Sequence, residues 1–364
     1  MIEFLRFICG LVRFGGVFGT IPTEMKLFTK DIAISLADDS MFFAMKDQPE
    51  PLVLSAYVAM QTGTKRVLAV GDEAKAMLGR TPENITVIRA ITEGIVADRE
   101  IAATMVRFGL HKLLGNSLIR KPRVVIACRF HEPTKNVIKE ITLMAGVRDT
   151  FLIELGMATA IGMNLDVTSP EIKAVLSISD DWFEFSIISL AGILYSVNGA
   201  IGSRDFVEDI RNHITLARGF SPELDALTAQ LHTAGINPHA AAEIPGWETW
   251  AGRAEHGRLS TKNISRDDLA IGLTPSLVKL SERIKTVIRS LSNEKQYALS
   301  QSTIHAAGSA IKIPGLAQAL SAQLGYSVTP FASKSHPSIE GCKLVLEELD
   351  WFKSAESKSK TNTK

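Results

Sequence analysis

Residues 174–188, AVLSISDDWFEFSII, constrain this chain more than any other stretch. Apolar and small polar residues alternate through Val175, Leu176, Ser177, Ile178 and Ser179, break at Asp180 and Asp181, and resume at Phe183, Phe185, Ile187 and Ile188. Alternation with a period of two, interrupted by a short acidic turn, predicts two antiparallel strands joined by a tight hairpin. A turn at Ala191 and Gly192 and an apolar run over 193–197 extend the hairpin into a meander. The same design stands earlier, where 31–36 (DIAISL) and 41–45 (MFFAM) flank Ala37, Asp38, Asp39 and Ser40. Two copies of strand, Asp-Asp turn and aromatic return strand, about 140 residues apart, imply a duplicated architecture.

At 364 residues the chain exceeds what one core usually serves, which again predicts two lobes. Around the first hairpin, 52–58 and 66–70 read as strands and 72–78 as a helix stopped by Gly79. Helices over 101–114, 135–145 and 157–163 alternate with strands over 123–127 and 150–153, so the class is α/β. Beyond the second hairpin, 206–216, 222–234 and 275–291 read as helices, the last with Pro275 in its first turn. Residues 302–306 read as a strand and 315–324 as a helix. The polar interval 236–266 reads as part of a small inserted subdomain, and its Trp247 and Trp250 suit either a partner patch or local packing. Residues 353–364, KSAESKSKTNTK, read as a disordered tail.

A net charge of +1 leaves no basic excess for phosphate neutralisation, which excludes nucleic acid as the main partner. Cys9, Cys128 and Cys342 are far apart and odd in number, as in a reducing compartment. His213, His232 and His239 have no metal-ligand spacing, and His305 reads as a core histidine.

Residues 1–19, MIEFLRFICGLVRFGGVFG, are amphipathic. At about 100° per residue, Glu3, Arg6, Gly10 and Arg13 share one narrow stripe, and Ile2, Phe4, Leu5, Phe7, Ile8, Leu11, Val12 and Phe14 cover the rest. Two arginines disfavour a span of about 20 apolar residues and also interrupt a signal-peptide core. A helix lying in the bilayer interface fits both the charges and the narrow polar face, with a buried structural helix as its competitor.

Residues 70–85, VGDEAKAMLGRTPENI, with Ile88-Arg89 and 93–98 (EGIVAD), closely resemble bacterial MreB, the actin-like rod-shape family. The likeness continues through 122–125 (PRVV), 145–148 (AGVR), 152–154 (LIE), 157–162 (MATAIG), 188–192 (ISLAG) and Tyr195-Ser196, and spans roughly residues 31–352. It implies the two-lobed actin fold, whose duplicated halves each carry one of the hairpins and a small inserted subdomain. The expected division is a membrane helix over 1–19, a first lobe over 26–165 with a subdomain near 52–95, a second lobe over 166–352 with a subdomain near 212–275, and a tail over 353–364.

The resemblance also implies ATP or ADP with magnesium, held by phosphate hairpins of the form DLGTANT and DIGGGTT. Here those hairpins read Ser35-Leu36-Ala37-Asp38-Asp39-Ser40-Met41 and Ser177-Ile178-Ser179-Asp180-Asp181-Trp182-Phe183. Both metal-side acids are serine, and the glycines that let backbone N–H groups approach phosphate are gone. Carboxylates stand in their place, and two like charges about 4 Å apart repel by about 4 kcal/mol at an effective dielectric of 20. The water-activating second glutamate of the family's Glu-Glu-Pro is Leu155, which is no base. The GGD turn is Gly202-Ser203-Arg204, the Glu-Arg-Ile-Lys helix is Asp225-Ala226-Leu227-Thr228, and of the LTGGGALL glycines only Gly308 remains, followed by Ser309.

The expected nucleotide position is therefore a degenerate one built from Asp38, Asp39, Ser40, Ser179, Asp180, Asp181, Gly202, Gly308 and Ser309, with no catalytic residue. Asp38, Asp39, Asp180 and Asp181 suit either plain turn chemistry or, together, a hard divalent cation. Trp182 and Phe183 are expected to fill space rather than bind a ligand.

The implied function is a pseudo-ATPase cytoskeletal filament protein, peripheral on the inner face of the bacterial cytoplasmic membrane, that acts in cell shape and wall synthesis. Its implied partners are itself, the membrane surface, an intact MreB paralogue and cell-wall elongation proteins. An MreB filament with a working ATPase cycle and a non-polymerising adaptor like FtsA or PilM remain the alternatives.

Overall fold

The computed structural model describes residues 30–36, 40–64, 66–92, 95–96, 98–115, 121–129, 132–236, 247–254, 259–331 and 336–348. The expected membrane helix over 1–19, the first hairpin tip with Asp38 and Asp39, and the 353–364 tail lie outside them, as do the side chains of Trp247 and Trp250. Among the described residues no helix is long and apolar enough to cross a membrane.

The early hairpin forms β1 (Asp31–Ser35) and β2 (Ser40–Met45), antiparallel and in register from Ile32 opposite Met45 to Ser35 opposite Phe42. The predicted strand over 52–58 is two strands, β3 (Leu52–Ser55) and β4 (Tyr57–Gln61), which enter different sheets on either side of Ala56. With β5 (Val67–Val70) and β6 (Ile85–Arg89), β4 makes a three-stranded sheet in the order β5-β4-β6, covered by the short α1 (Asp72–Ala76). A two-stranded pair, β7 (Ile91–Thr92) and β8 (Ile95–Val96), precedes α2 (Arg99–Leu114). Asp98 caps α2, its Oδ1 accepting the Ile101 N–H at 3.0 Å.

The chain then returns through β9 (Arg123–Cys128), whose six residues are all buried. That continuous apolar run suits a strand covered on both faces in a parallel ladder. Helix α3 (Glu132–Met144) crosses over to β10 (Asp149–Glu154), parallel to β9, and α4 (Leu155–Gly162) follows directly. The main sheet runs β10-β9-β1-β2-β3. Asp31 faces Arg123 across the β1–β9 ladder, and the two form a part-buried ion pair with Arg123 Nε 2.7 Å from Asp31 Oδ1.

The second hairpin forms β11 (Lys173–Ile178) and β12 (Phe183–Ser189), and β13 (Gly192–Gly199) completes the meander. All seven residues of β12 are buried. The turn into β13 falls on Leu190 and Ala191 (φ 49° and 61°), one residue earlier than expected, and Gly192 already belongs to the strand. After α5 (Ser203–Arg218) come β14 (Phe220–Pro222) and α6 (Leu224–Ala234), so Pro222 ends a strand instead of starting the helix. Within the polar interval, β15 (Trp247–Ala254) and β16 (Leu259–Ser265) pair antiparallel and give the small sheet β14-β15-β16.

The helix expected to begin at Pro275 is longer. Helix α7 (Arg266–Ser290) starts at a capping box in which Ser265 Oγ accepts the Asp268 N–H and Asp268 Oδ2 accepts the Ser265 N–H, each at 3.1 Å. Pro275 therefore sits inside the helix, where it removes one backbone donor. The next amide, Ser276 N–H, donates to Asp209 Oδ2 of α5 at 3.0 Å. Gly272 lets the two helices approach, since a Cβ there would lie 2.7 Å from the Ile210 Cα. Helix α8 (Asn293–Ser300), β17 (Thr303–Ala307), α9 (Leu316–Leu324) and β18 (Ser327–Pro330) follow. The second sheet runs β13-β12-β11-β17-β18.

The two five-stranded sheets share one plan. Each is an antiparallel three-stranded meander whose first strand continues into two parallel strands, here β9 and β10, there β17 and β18. Each has its own apolar core, built around Ile32, Ile34, Phe43, Met105 and Ile126 in one, and around Leu176, Phe183, Phe185, Phe206 and Ile304 in the other.

Two compact units result. One holds the described residues up to Pro170 with Leu190–Gly192 and 336–348, and the other holds Glu171–Ser189 and the described residues from Ile193 to 331. Residues 337–348 are helical and belong to the first unit, although the chain-order boundary assigned them to the second lobe. Close helix contact explains this. A Cβ at Gly162 would fall 1.8 Å from the Pro337 carbonyl oxygen, and one at Gly341 would fall 1.9 Å from that of Ala158. Ser338, Ile339 and Cys342 are fully buried there.

Candidate functional site

In the second unit the turn between β11 and β12 is closed by Trp182, whose carbonyl oxygen accepts both the N–H (2.9 Å) and the Oγ–H (3.0 Å) of Ser179. Asp180 and Asp181 form the two-residue tip. The Asp180 Oδ1 accepts hydrogen bonds from Ser203 Oγ at 2.8 Å and Ser309 Oγ at 2.6 Å. Asp181 Oδ1 lies 2.9 Å from Arg204 Nη1. The backbone repeats the attachment: Ser203 N–H donates to the Ser179 carbonyl and Arg204 N–H to the Asp180 carbonyl, both at 2.9 Å. These are the first amides of α5, which carry the positive end of the helix dipole.

Two glycines permit the close fit. A Cβ at Gly202 would stand 2.4 Å from the Asp180 carbonyl oxygen, and one at Gly308, where φ is +103°, would stand 2.1 Å from that of Ile178. Ser179, Asp180, Asp181, Gly202, Gly308 and Ser309 thus meet at one place in the second unit. Ser203 and Arg204 belong with them and were not among the expected site residues. Their only sequence signal is their position in the turn that replaces GGD.

The rest of this neighbourhood is apolar or weakly basic. Trp182 and Phe183 are buried at 2% and 0% exposure, and Phe183 lies in the core of the unit. Leu227 on α6 is fully buried, and Thr228 donates its hydroxyl to the Leu224 carbonyl. Burial pushes His232 below its ordinary value of 6.5, with Lys312 acting in the same direction and Asp180 against it. Burial likewise lowers His305, and Lys173 adds to the effect.

In the first unit, Ser40 opens β2, while Asp38 and Asp39 lie outside the described residues. Ser35, at the position of the first metal-side acid, is fully buried, with its Oγ 2.6 Å from Ser338 Oγ, which lies 2.7 Å from His336 Nδ1. Leu155 is buried at 1% exposure. Burial raises the Glu154 carboxyl above its ordinary value, partly offset by Lys135. Cys128 and Cys342 are buried free thiols, and burial raises the Cys342 thiol strongly. Among the described residues no group of three or more His, Cys, Asp or Glu is placed to hold a metal ion.

A doubled five-stranded sheet of this order defines an actin-like α/β protein. The family model described as MreB/Mbl protein matches residues 29–354, and the chain belongs to that family. Over 195 residues it is 34% identical to the cell shape-determining protein MreB of Escherichia coli strain K12, an alignment covering 52% of this chain and 56% of that protein. It is 30% identical over 190 residues to the cell shape-determining protein Mbl of Bacillus cereus, covering 52% and 57%. The chain thus spans little more than half the length of the curated relatives it matches.

Among solved structures, MreB5 of Spiroplasma citri bound to ADP superposes with a TM-score of 0.78 at 17% identity, over 88% of this chain and 97% of that one. A MamK double helical filament superposes with a TM-score of 0.69 at 15% identity, over 88% and 99%.

Proposed function

We propose that this chain is an MreB-type cytoskeletal protein that assembles into filaments on the inner face of the cytoplasmic membrane, contributes to cell shape and to the organisation of wall synthesis, and does so without an ATPase cycle. Family membership supports the cytoskeletal role, and the filament formed by MamK supports self-assembly. The amphipathic pattern of Ile2, Phe4, Leu5, Phe7, Ile8, Leu11, Val12 and Phe14 supports the membrane contact. One such helix binds modestly, and a filament displaying many gains avidity. An intact MreB paralogue and cell-wall elongation proteins are the partners this role calls for.

The observation that carries the pseudo-ATPase reading is the occupied tip of the second hairpin. The two serine hydroxyls beside the helix N-terminus are engaged by Asp180, and a second carboxylate, Asp181, stands next to it. A triphosphate brought there meets negative charge and donors already in use, so the residues present do not fit ATP with magnesium. The buried Leu155 offers no base, and no catalytic step is assigned.

Calorimetric titration of ATP with magnesium into protein lacking residues 1–19 tests this directly. No heat up to millimolar nucleotide is expected. Micromolar binding followed by turnover would overturn the pseudo-ATPase reading and favour a working ATPase filament. Sedimentation at high protein concentration separates a filament former from an adaptor. Equal liposome binding by the full chain and by the shortened one would sink the membrane contact.

A further inference from the structure

Three segments far apart in sequence meet on one oxygen of the second unit. Asp180 Oδ1 accepts from Ser203, at the first position of α5, and from Ser309, just beyond β17. These donors lie 23 and 129 residues away along the chain. Gly202 and Gly308 are each so close to the hairpin that a single methyl group would force it away. The segments therefore close tightly on the tip, and the carboxylate lies where their hydroxyls and the helix N-terminus converge. Arg204 balances the neighbouring Asp181, and Lys312 adds positive charge from the 3₁₀ turn Ala310–Lys312.

We infer that Asp180 is a built-in anion, whose carboxylate ties the β11–β12 hairpin to the start of α5 and to the 308–309 turn, so that this part of the fold is set without any external anionic ligand. A carboxylate accepting two hydroxyl hydrogen bonds is stronger than a neutral acceptor in the same place. It is also tethered, so its effective concentration at the donors does not depend on a ligand pool. A unit held in this way keeps one arrangement whatever the supply of phosphate compounds. The inference rests on the second unit alone and on the same contacts as the pseudo-ATPase reading, and it is independent of filament formation and membrane contact.

The test is thermal denaturation of the full chain in chloride, acetate and inorganic phosphate at equal ionic strength, with wild type in each salt as the reference for general salt effects. Asp180→Ala removes a side chain that acetate resembles. In chloride its Tm is expected to fall by about 4–8 °C, and acetate or phosphate is expected to restore at least half of that loss while leaving wild type unmoved. A double-mutant cycle gives a second readout, because Asp180→Ala must cost less in a Ser203→Ala, Ser309→Ala background than alone. An unchanged Tm, an equal cost in both backgrounds, or equal anion stabilisation of wild type and variant would each overturn the proposal. If Asp180→Ala does not fold, Asp180→Asn takes its place in the cycle. It must lower the Tm with the serines present and lower it less without them, and equal losses count against the clamp.

Discussion

At the scale of the residue, this protein depends on a few positions whose neighbours leave no alternative. Gly308 combines a φ of +103° with a backbone oxygen 2.1 Å from where a Cβ would be. Gly308→Ala is therefore expected to cost more than about 3 kcal/mol, read as a lowered urea midpoint with unchanged slope. Two histidines set a pH dependence. Burial lowers both His305 and His232 from the ordinary 6.5, so the unfolded chain binds protons that the native fold rejects. Their contribution is fully present above 6.5 and is lost as pH falls through that value towards the lowered native ones. Melting temperatures taken from pH 8 to pH 5.5 should fall less steeply for His305→Gln than for wild type. The glycine and both histidines were visible in the chain. Their environments were not, because a carbonyl from a strand 130 residues away does not announce itself locally.

At the scale of the element, the departures from expectation have long-range causes. Pro275 suggested a helix start because a missing N–H is harmless in the first turn. Here it stands inside the helix, and the amide that follows it, Ser276 N–H, finds a long-range acceptor in Asp209 of α5, 67 residues away in sequence. Asp209→Ala should cost about 2 kcal/mol in chemical denaturation, since it leaves the Ser276 amide without that acceptor, and Asp209→Asn should lose less. The turn between β12 and β13 is a second case. Leu190 and Ala191 both adopt left-handed φ values that favour Asn and Gly, and their N–H groups donate to the carbonyls of Ser169 and Val167 at 3.0 and 2.7 Å. Ala191→Gly is expected to raise stability by about 0.5–1 kcal/mol, measured as a higher urea midpoint. A decrease would mean that the left-handed backbone there is unstrained.

At the scale of the whole molecule, the order of the chain and the division into units differ. The described residues after 335 complete the first unit, burying Ser338, Ile339, Cys342 and Leu346. A chain shortened to end at Phe331 should lose cooperative unfolding of that unit while the second still unfolds in one step. Tryptophan fluorescence isolates the second transition, because Trp182, Trp247 and Trp250 all belong to that unit and Trp351 would be absent. Circular dichroism should show the loss from the first. A single shared transition would mean that residues 336–348 add little to the first unit.

What the chain determined by itself was local and periodic. The alternating runs around an acidic break in residues 31–45 and 174–188 are enough to specify both hairpins, since they mark short strands and the turn between them. The repetition of that pattern was enough to imply a doubled fold, and the long run over 70–98 was enough for the family. Tertiary structure alone decided where the ends of those patterns go. Only packing brings Ser203 and Ser309 onto Asp180, sets Asp209 beside Pro275, and returns the 337–348 helix to the first unit through Gly162 and Gly341. The reason is physical: residue pattern and turn residues report local backbone preference, whereas a hydrogen bond or close contact between distant segments depends on where those segments meet after the core has formed.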